Sequence, residues 1–415
     1  MRETGGDKAC RNSTGVSGVE MITRGGTTIQ VSVAGVGPDS AGTMAGPNAH
    51  PTLRWSSSMG WWLAHGLLVA LAILLPFPLA HGSDLHLGNS LTRWGVWQGD
   101  AVHYAHIAVQ GYTASPTNPA FWPGVPVLVA LTRRPWVTLA AVDVALLFVI
   151  RLVGTVAMDL GLSASTASIA VALFALNPAA VYYSTAYPEL WVVGGFLLAI
   201  WSAMHRRPWP MAAGVAVATV MDPLGAVVGL LPLLLTIQSW RHRDREALRV
   251  GVAGVAAGGL VVLGFCGYLA LTTGDPLAML AAQRFWHGTW TFPGVQLIQE
   301  TIAVLGGHSA INRAVALLVL VPTIPALVLG LSWLRSLRQP VALYAAITAG
   351  VMALIALAFE AERAPLFSTA RFMSMVVPSY FGFARQPRLA GPVLLLGGLV
   401  ALAGGVAFTH GYFWW

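Results

Sequence analysis

The residues best suited to chemistry lie in one loop, 93–126, which mixes an aspartate, two histidines, tryptophans and closely spaced glycines and prolines. Asp100 follows Gly99 and opens a short helix predicted over 100–110, with His103 and Tyr104 on its face and Val102, Ala105 and Val109 forming an apolar side. A helix of that kind lies along a membrane surface rather than crossing it. A carboxylate there can act as a general base toward a hydroxyl. Aspartate is also a favoured N-cap, where its loss costs about 0.5–2 kcal/mol. The sequence leaves base and cap side by side. His106 lies six positions from Asp100 and points about 120° away around a helix of 3.6 residues per turn. Only one Asp–His pair therefore converges, fewer ligands than a protein-built metal site needs. No metal or other cofactor is expected.

Other chemistry-bearing residues are scattered along the chain. Glu189 follows Tyr187-Pro188 at the predicted start of an apolar helix, where a carboxylate suits the helix dipole. It could also bind substrate hydroxyls. Loop 274–294 carries Gln283, Arg284, Trp286, His287 and Trp290. Arg284 and His287 could meet a phosphate or a sugar, while the tryptophans suit the membrane interface whatever the loop does. Arg371 lies in the run STARFMSMVVPSYFGFA, with Arg363 nearby. Its planar guanidinium fits a phosphate in bidentate fashion. Phe121 and Trp122 offer faces for sugar rings or interfacial anchors. Asp143 and Arg151 share one apolar stretch and must face the protein interior, as must Asp222.

The elements that position these residues are membrane helices. Of 415 residues, 56% are hydrophobic and 9% charged, against roughly 25% charged in soluble domains. An all-α polytopic membrane protein follows. The net charge of +7 is spread over short connections and reads as topology signal and lipid-headgroup attraction; no nucleic-acid partner is expected. Basic residues are arginine except for Lys8, the usage of a GC-rich bacterial genome. Cys10 and Cys266 lie in a polar tail and an apolar segment, with no disulfide or metal implied. Residues 1–55, rich in Gly, Ser and Thr, are expected to be a disordered cytoplasmic tail without the apolar core of a signal peptide, and Met44 or Met59 is an alternative start.

A spanning helix needs about 20 apolar residues. That length predicts a transmembrane domain over 56–415 with about 11 spans, near 60–80, 137–157, 164–181, 189–204, 209–221, 224–239, 249–272, 311–334, 341–359, 366–384 and 389–410. The fifth and sixth flank Met221-Asp222-Pro223 and could form one broken hairpin. Arg206-Arg207, the arginines at 241–249, Arg335/Arg338 and Arg385/Arg388 fall on alternate connections, which the positive-inside rule makes cytoplasmic. The connections at 81–136, 182–188, 273–310 and 360–365 then face outward and gather Asp84, Asp100, Glu189, Asp275, Glu300, Glu360 and Glu362. That face is the expected working face.

Four blocks occur in order: D-A-V-H-Y-x-x-I-A-x-x-G-Y with F-W-P-G-V-P from Asp100, N-P-A-A-V-Y-Y-S-T-A-Y-P-E from Asn177, G-D-P-L-A-M-L-x-A-Q-x-x-W from Gly274, and A-R-F-M-S-M-V-V-P from Ala370. Over about residues 90–385 the chain resembles the PIG-V family of mannosyltransferases and its bacterial relatives, which in turn resemble other GT-C glycosyltransferases. The resemblance implies a GT-C-like bundle in a multi-pass plasma membrane protein. It also implies inverting transfer of mannose from a polyprenyl-phosphate donor to a glycolipid or glycan on the non-cytoplasmic face. Asp100 would be the first-loop catalytic acid residue, with loop 274–294 and Arg371 near donor or acceptor. The substrate-binding set expected is His103, Tyr104, Glu189, Gln283, Arg284, Trp286, His287 and Arg371. One departure stands out: the family usually carries Trp directly before this aspartate, and here Gly99 takes that place with Trp97 two residues earlier. A lipid-substrate transporter or flippase, and a catalytically silent membrane partner, are the competing readings.

Overall fold

The computed structural model describes residues 20–24, 27–31, 54–75, 97–286, 288–306, 311–361 and 368–410. Residues Met1–His50 form a unit of their own. Within it β1 (Glu20–Arg24) pairs antiparallel with β2 (Thr27–Val31). The tail expected to be structureless thus contains a hairpin, and β-branched Ile22, Thr23, Thr28, Ile29 and Val31 suit that extended pairing.

The second unit, Pro51–Trp415, is the helical membrane body. Among the described residues, seven helices are long and apolar enough to cross a bilayer. They are α1 (Trp55–Leu74), α4 (Pro135–Asp159), the segment Leu224–His242 that ends in α8 (Leu230–His242), α9 (Arg245–Thr273), Leu317–Ser336 within α12 (Ile311–Ser336), α13 (Pro340–Ala358) and α16 (Pro387–Thr409). Short helices fill the spaces between them: α2 (Asp100–Gln110), α3 (Gly124–Thr132), α5 (Ala164–Ala175), α6 (Glu189–His205), α7 (Pro208–Met221), α10 (Ala278–Ala282), α11 (Val295–Leu305), α14 (Thr369–Met373) and α15 (Pro378–Ala384). The chain is an all-α polytopic membrane protein, apart from β1–β2 and one small ribbon, β3 (Gly288–Trp290) with β4 (Phe359–Ala361).

Four of the expected spans, 164–181, 189–204, 209–221 and 366–384, are not among these seven helices, and 189–204 is the 17-residue α6. The stretch 164–181 stops at Ala175, because Asn177 donates from Nδ2 to Phe174 O (2.7 Å) and accepts from Ala179 N at Oδ1 (2.8 Å), turning the chain before Pro178 can extend the helix. Twelve residues make about 18 Å of helix, well short of the ~30 Å hydrocarbon layer. The stretch 366–384 holds two short helices, α14 and α15, on either side of a break closed by Pro378 and by Ser374 Oγ donating to Arg371 O (2.6 Å). Helix α7 ends at Met221, where Asp222 Oδ1 takes the Leu224 N–H (2.7 Å) before the next helix begins. Polar turns inside the apolar body are thus built from side chains that cap their own backbone, which hydrocarbon demands.

Close approach of backbones fixes the interior. Gly195 of α6 and Gly214 of α7 face one another, so that a methyl group at Gly214 would lie 2.7 Å from Gly195 O. Gly330 of α12 and Gly382 of α15 do the same, a Cβ at Gly382 falling 2.7 Å from Gly330 N. Small residues at such crossings are how membrane helices gain packing without a hydrophobic drive between them. On the side expected to be cytoplasmic, Arg206 bridges Asp244 (3.0 Å) and Glu246 (3.1 Å), joining the α6–α7 turn to the start of α9. Asp143 and Arg151 of α4 turn toward α1, where Trp62 Nε1 donates to Asp143 O (3.1 Å) and Arg151 stacks 4.0 Å over the Trp55 ring. Helix α11 is inverted for a soluble protein: Gln296 and Glu300 are buried while Ile298, Ile302 and Leu305 are exposed. An outward apolar arc of this kind lies against hydrocarbon.

Candidate active site

Asp100 is the first residue of α2. The helix is capped by Gly99, at φ 57 and ψ −125, and no side chain makes a capping hydrogen bond. The N-cap reading of Asp100 is therefore corrected, and its carboxylate is directed elsewhere. Gly99 occupies backbone space that a Cβ-bearing residue enters only with strain. A tryptophan at that position would need a different turn. Trp97 is instead half-buried against the core.

The carboxylate of Asp100 meets Arg371 of α14, Oδ2 accepting from Nη1 at 2.9 Å. On its other side the Arg371 Nε lies 2.8 Å from Glu189 Oε1 at the start of α6. Arg371 and Glu189 are buried, and Asp100 keeps a quarter of its side chain exposed. Residues 271 positions apart are thus joined through one guanidinium. Aromatic faces complete the cage, the Arg371 guanidinium carbon lying 5.1 Å from the Tyr187 and Phe372 ring centres and 5.5 Å from that of Tyr182.

Each member is held from behind. Tyr187 Oη accepts the Asp100 N–H (2.9 Å) and donates to Gln98 O (3.2 Å), pinning both ends of the turn that presents the carboxylate. Tyr183 and Tyr380 both donate to Ser374 O, at 3.0 and 2.8 Å, and so hold the end of the α14 turn that carries Arg371. His65 of α1 bridges Ala175 O (2.8 Å) and Ser184 Oγ (2.7 Å), steadying the 3-10 turn Ala180–Ser184 that supplies Tyr182 and Tyr183. Asp222, in the turn between α7 and the segment Leu224–His242, is a further carboxyl of this neighbourhood. Burial pushes it up to about 6, against the Leu224 N–H bond and the positive charge of Arg371, while the negative charge of Asp100 adds to the rise. Tyr104 sits buried between Phe121 and Tyr187, edge-on to both, and burial together with the charges of Asp100, Asp222 and Glu189 drives its hydroxyl well above the usual tyrosine range.

Of the residues singled out from sequence, Asp100, Tyr104, Glu189 and Arg371 come together here. His103 is adjacent but stacks its ring flat on Phe121, with centroids 5.0 Å apart. Gln283 and Arg284 do not join the cluster: they lie in a 3-10 turn after α10, and Arg284 is exposed. His287, the side chain of Trp286, and Arg363 fall outside the described residues. Asp222, Tyr182 and Tyr187 belong to the site's surroundings without having been chosen for it. The tyrosines' one sequence signal was an unusual density of Tyr immediately before Pro188-Glu189.

The buried ion-pair set therefore carries one cation and two carboxylates within direct contact, with a partly exposed Asp100 oxygen as its edge. Such an edge can accept a hydroxyl proton or orient a hydroxyl, held in place by the Arg371 Nη1 hydrogen bond. Among known proteins, no family model matches the chain and no curated protein matches it. Among solved structures it is similar to the oligosaccharyltransferase of Archaeoglobus fulgidus, at 14% identity and a TM-score of 0.46, over 85% of this chain and 53% of that one. The chain spans about half the length of that protein, and a likeness this distant carries no argument about its fold or chemistry.

Proposed function

We propose that the protein is an inverting glycosyltransferase that moves mannose from a polyprenyl-phosphate donor to a hydroxyl of a glycolipid or glycan at the non-cytoplasmic membrane surface. The observation that carries this reading is the Asp100–Arg371–Glu189 set, a carboxylate positioned by a buried guanidinium at the end of a short surface helix. The four ordered sequence blocks and the apolar body around the site support it.

In the reaction the acceptor oxygen bonds to the sugar's anomeric carbon as the bond from that carbon to the phosphate oxygen breaks. Asp100 takes the acceptor proton, and the phosphate oxygen leaves with the bonding pair on its lipid. Attack from the face opposite the leaving group inverts the centre. General-base assistance of this kind is worth about 10²–10⁴ in rate. Arg371 acts first as a positioning residue, because Nη1 already donates to Asp100, while Nε lies 2.8 Å from Glu189 Oε1 without completing a hydrogen bond. The pair on Nη2 remains for a donor phosphate oxygen, where charge develops as the bond breaks.

Membranes lacking and overexpressing the protein, supplied with radiolabelled polyprenyl-phosphate-mannose, test the reading. Label should enter lipid or glycan products in proportion to the protein. Identical products from both membranes would remove it.

A further inference from the structure

The two outer connections that sequence marked as informative do meet, but away from Asp100. Segments 112–119 and 272–285 enclose an open cavity of about 520 Å³. Its lining includes Tyr112, Ser115, Thr273, Asp275 and Phe285 together with alanines of α10. The frame is rigid on both sides. Tyr112 donates to Phe121 O (3.1 Å) and packs edge-on against Phe265 and Tyr268, at 5.6 and 5.7 Å. Asp275 is fixed by Leu277 N on Oδ1 (2.8 Å), and Thr273 Oγ1 donates to Asp275 O (3.2 Å).

The chemistry of the wall selects its ligand. Among the described residues no Lys, Arg or His lines the cavity, and the one charged group in its lining is a carboxylate, which disfavours phosphate and other anions. The hydroxyls of Thr272 and Thr273 already donate to Tyr268 O and Leu269 O (2.8 and 2.7 Å) and that of Ser115 pairs with Thr117 (2.9 Å), so their oxygens face a ligand chiefly as acceptors for its hydroxyl groups, which a purely hydrocarbon ligand would leave unused. Phe285 stands 53% exposed beside them, an apolar face available for stacking. A carboxylate, clustered hydroxyls and an open aromatic face match a neutral polyhydroxyl ligand. We propose that this cavity binds a carbohydrate portion of the acceptor, a proposal that rests on the glycosyl-transfer reading. Helix α2 begins at Asp100 and runs to Gln110, just before Tyr112. Its eleven residues span ~16 Å at 1.5 Å per residue. The cavity thus holds a part of the acceptor remote from the reacting hydroxyl and sets which acceptors reach Asp100.

The test is saturation-transfer NMR of mannotriose on the full chain in lipid nanodiscs, with maltotriose and inorganic phosphate as separate arms. Signal is expected for mannotriose with the wild type and with Asp100→Asn, which leaves the cavity intact. It should weaken at least tenfold in Phe285→Ala and Asp275→Ala, both surface changes that spare the core. Inorganic phosphate should not displace the sugar. No transfer at millimolar mannotriose, unchanged signal in both cavity variants, or displacement by phosphate would each overturn the proposal. Equal response to maltotriose supports a carbohydrate site that reads hydroxyls in general. Binding without any sugar transfer in the membrane assay would sink the enzymatic reading and leave the carbohydrate site standing.

Discussion

Arg371 decides the character of the site at the level of single residues. A guanidinium buried between two carboxylates is stable only while both partners remain, because removing one member leaves charge without compensation, at about 3–5 kcal/mol. Arg371→Ala should therefore lower thermal stability strongly, and adding Glu189→Gln should recover part of the loss. A double-mutant cycle read by thermal unfolding checks this; additive losses would mean that the two side chains are not coupled. Asp100, Glu189 and Arg371 were each legible in the sequence as candidates, because charge in an apolar chain always needs a reason. Their mutual pairing was not legible. Nothing in spacing links residues so far apart, and Arg371 read alone looked like a phosphate ligand. The two carboxylates give it a prior task. Tyr187 was missed because its work is done by one hydroxyl on the backbone of a distant turn, which leaves no pattern in composition.

Packing of the elements positions these residues, and glycine sets how closely. Helices α6 and α7 touch through Gly195 and Gly214, and α12 meets α15 through Gly330 and Gly382. The first contact sets where α6 starts, hence where Glu189 sits; the second holds the helix that follows Arg371. Gly214→Val should overfill its crossing, costing about 1–3 kcal/mol or more. A thermal-shift measurement in detergent should show that loss, whereas Gly264→Val on α9, which has open space, should leave stability near wild type. Equal losses at both positions would show that close packing is not the cause. Helix existence was legible from apolar length, but helix ends were not. Asn177 and Ser374 end theirs through side-chain bonds to nearby backbone, a choice that hydropathy does not register. The same reason turned three predicted crossings into short interior helices or broken segments.

At the scale of the whole chain, charge asymmetry is the basis on which the two faces are proposed. Arginines gather on the connections that include the Arg206–Asp244–Glu246 bridge, while Asp100 and the carbohydrate cavity belong to the opposite connections in the positive-inside assignment. Single cysteines placed at Phe285 and at Arg241 in a Cys10→Ala, Cys266→Ala background should report this with a membrane-impermeant maleimide on intact cells. Phe285→Cys should label and Arg241→Cys should label only after permeabilisation; the reverse pattern would invert the proposed topology. The central claim is that the Asp100 carboxylate, held by Arg371, takes the acceptor proton. The most direct measurement compares wild type with Asp100→Asn for transfer of radiolabelled mannose from polyprenyl-phosphate-mannose, at matched folded protein. Asparagine keeps the size and a hydrogen-bonding oxygen for Arg371 but cannot serve as a base. A fall of about 10²–10⁴ in rate is the expected result; transfer within a few-fold of wild type would contradict the account.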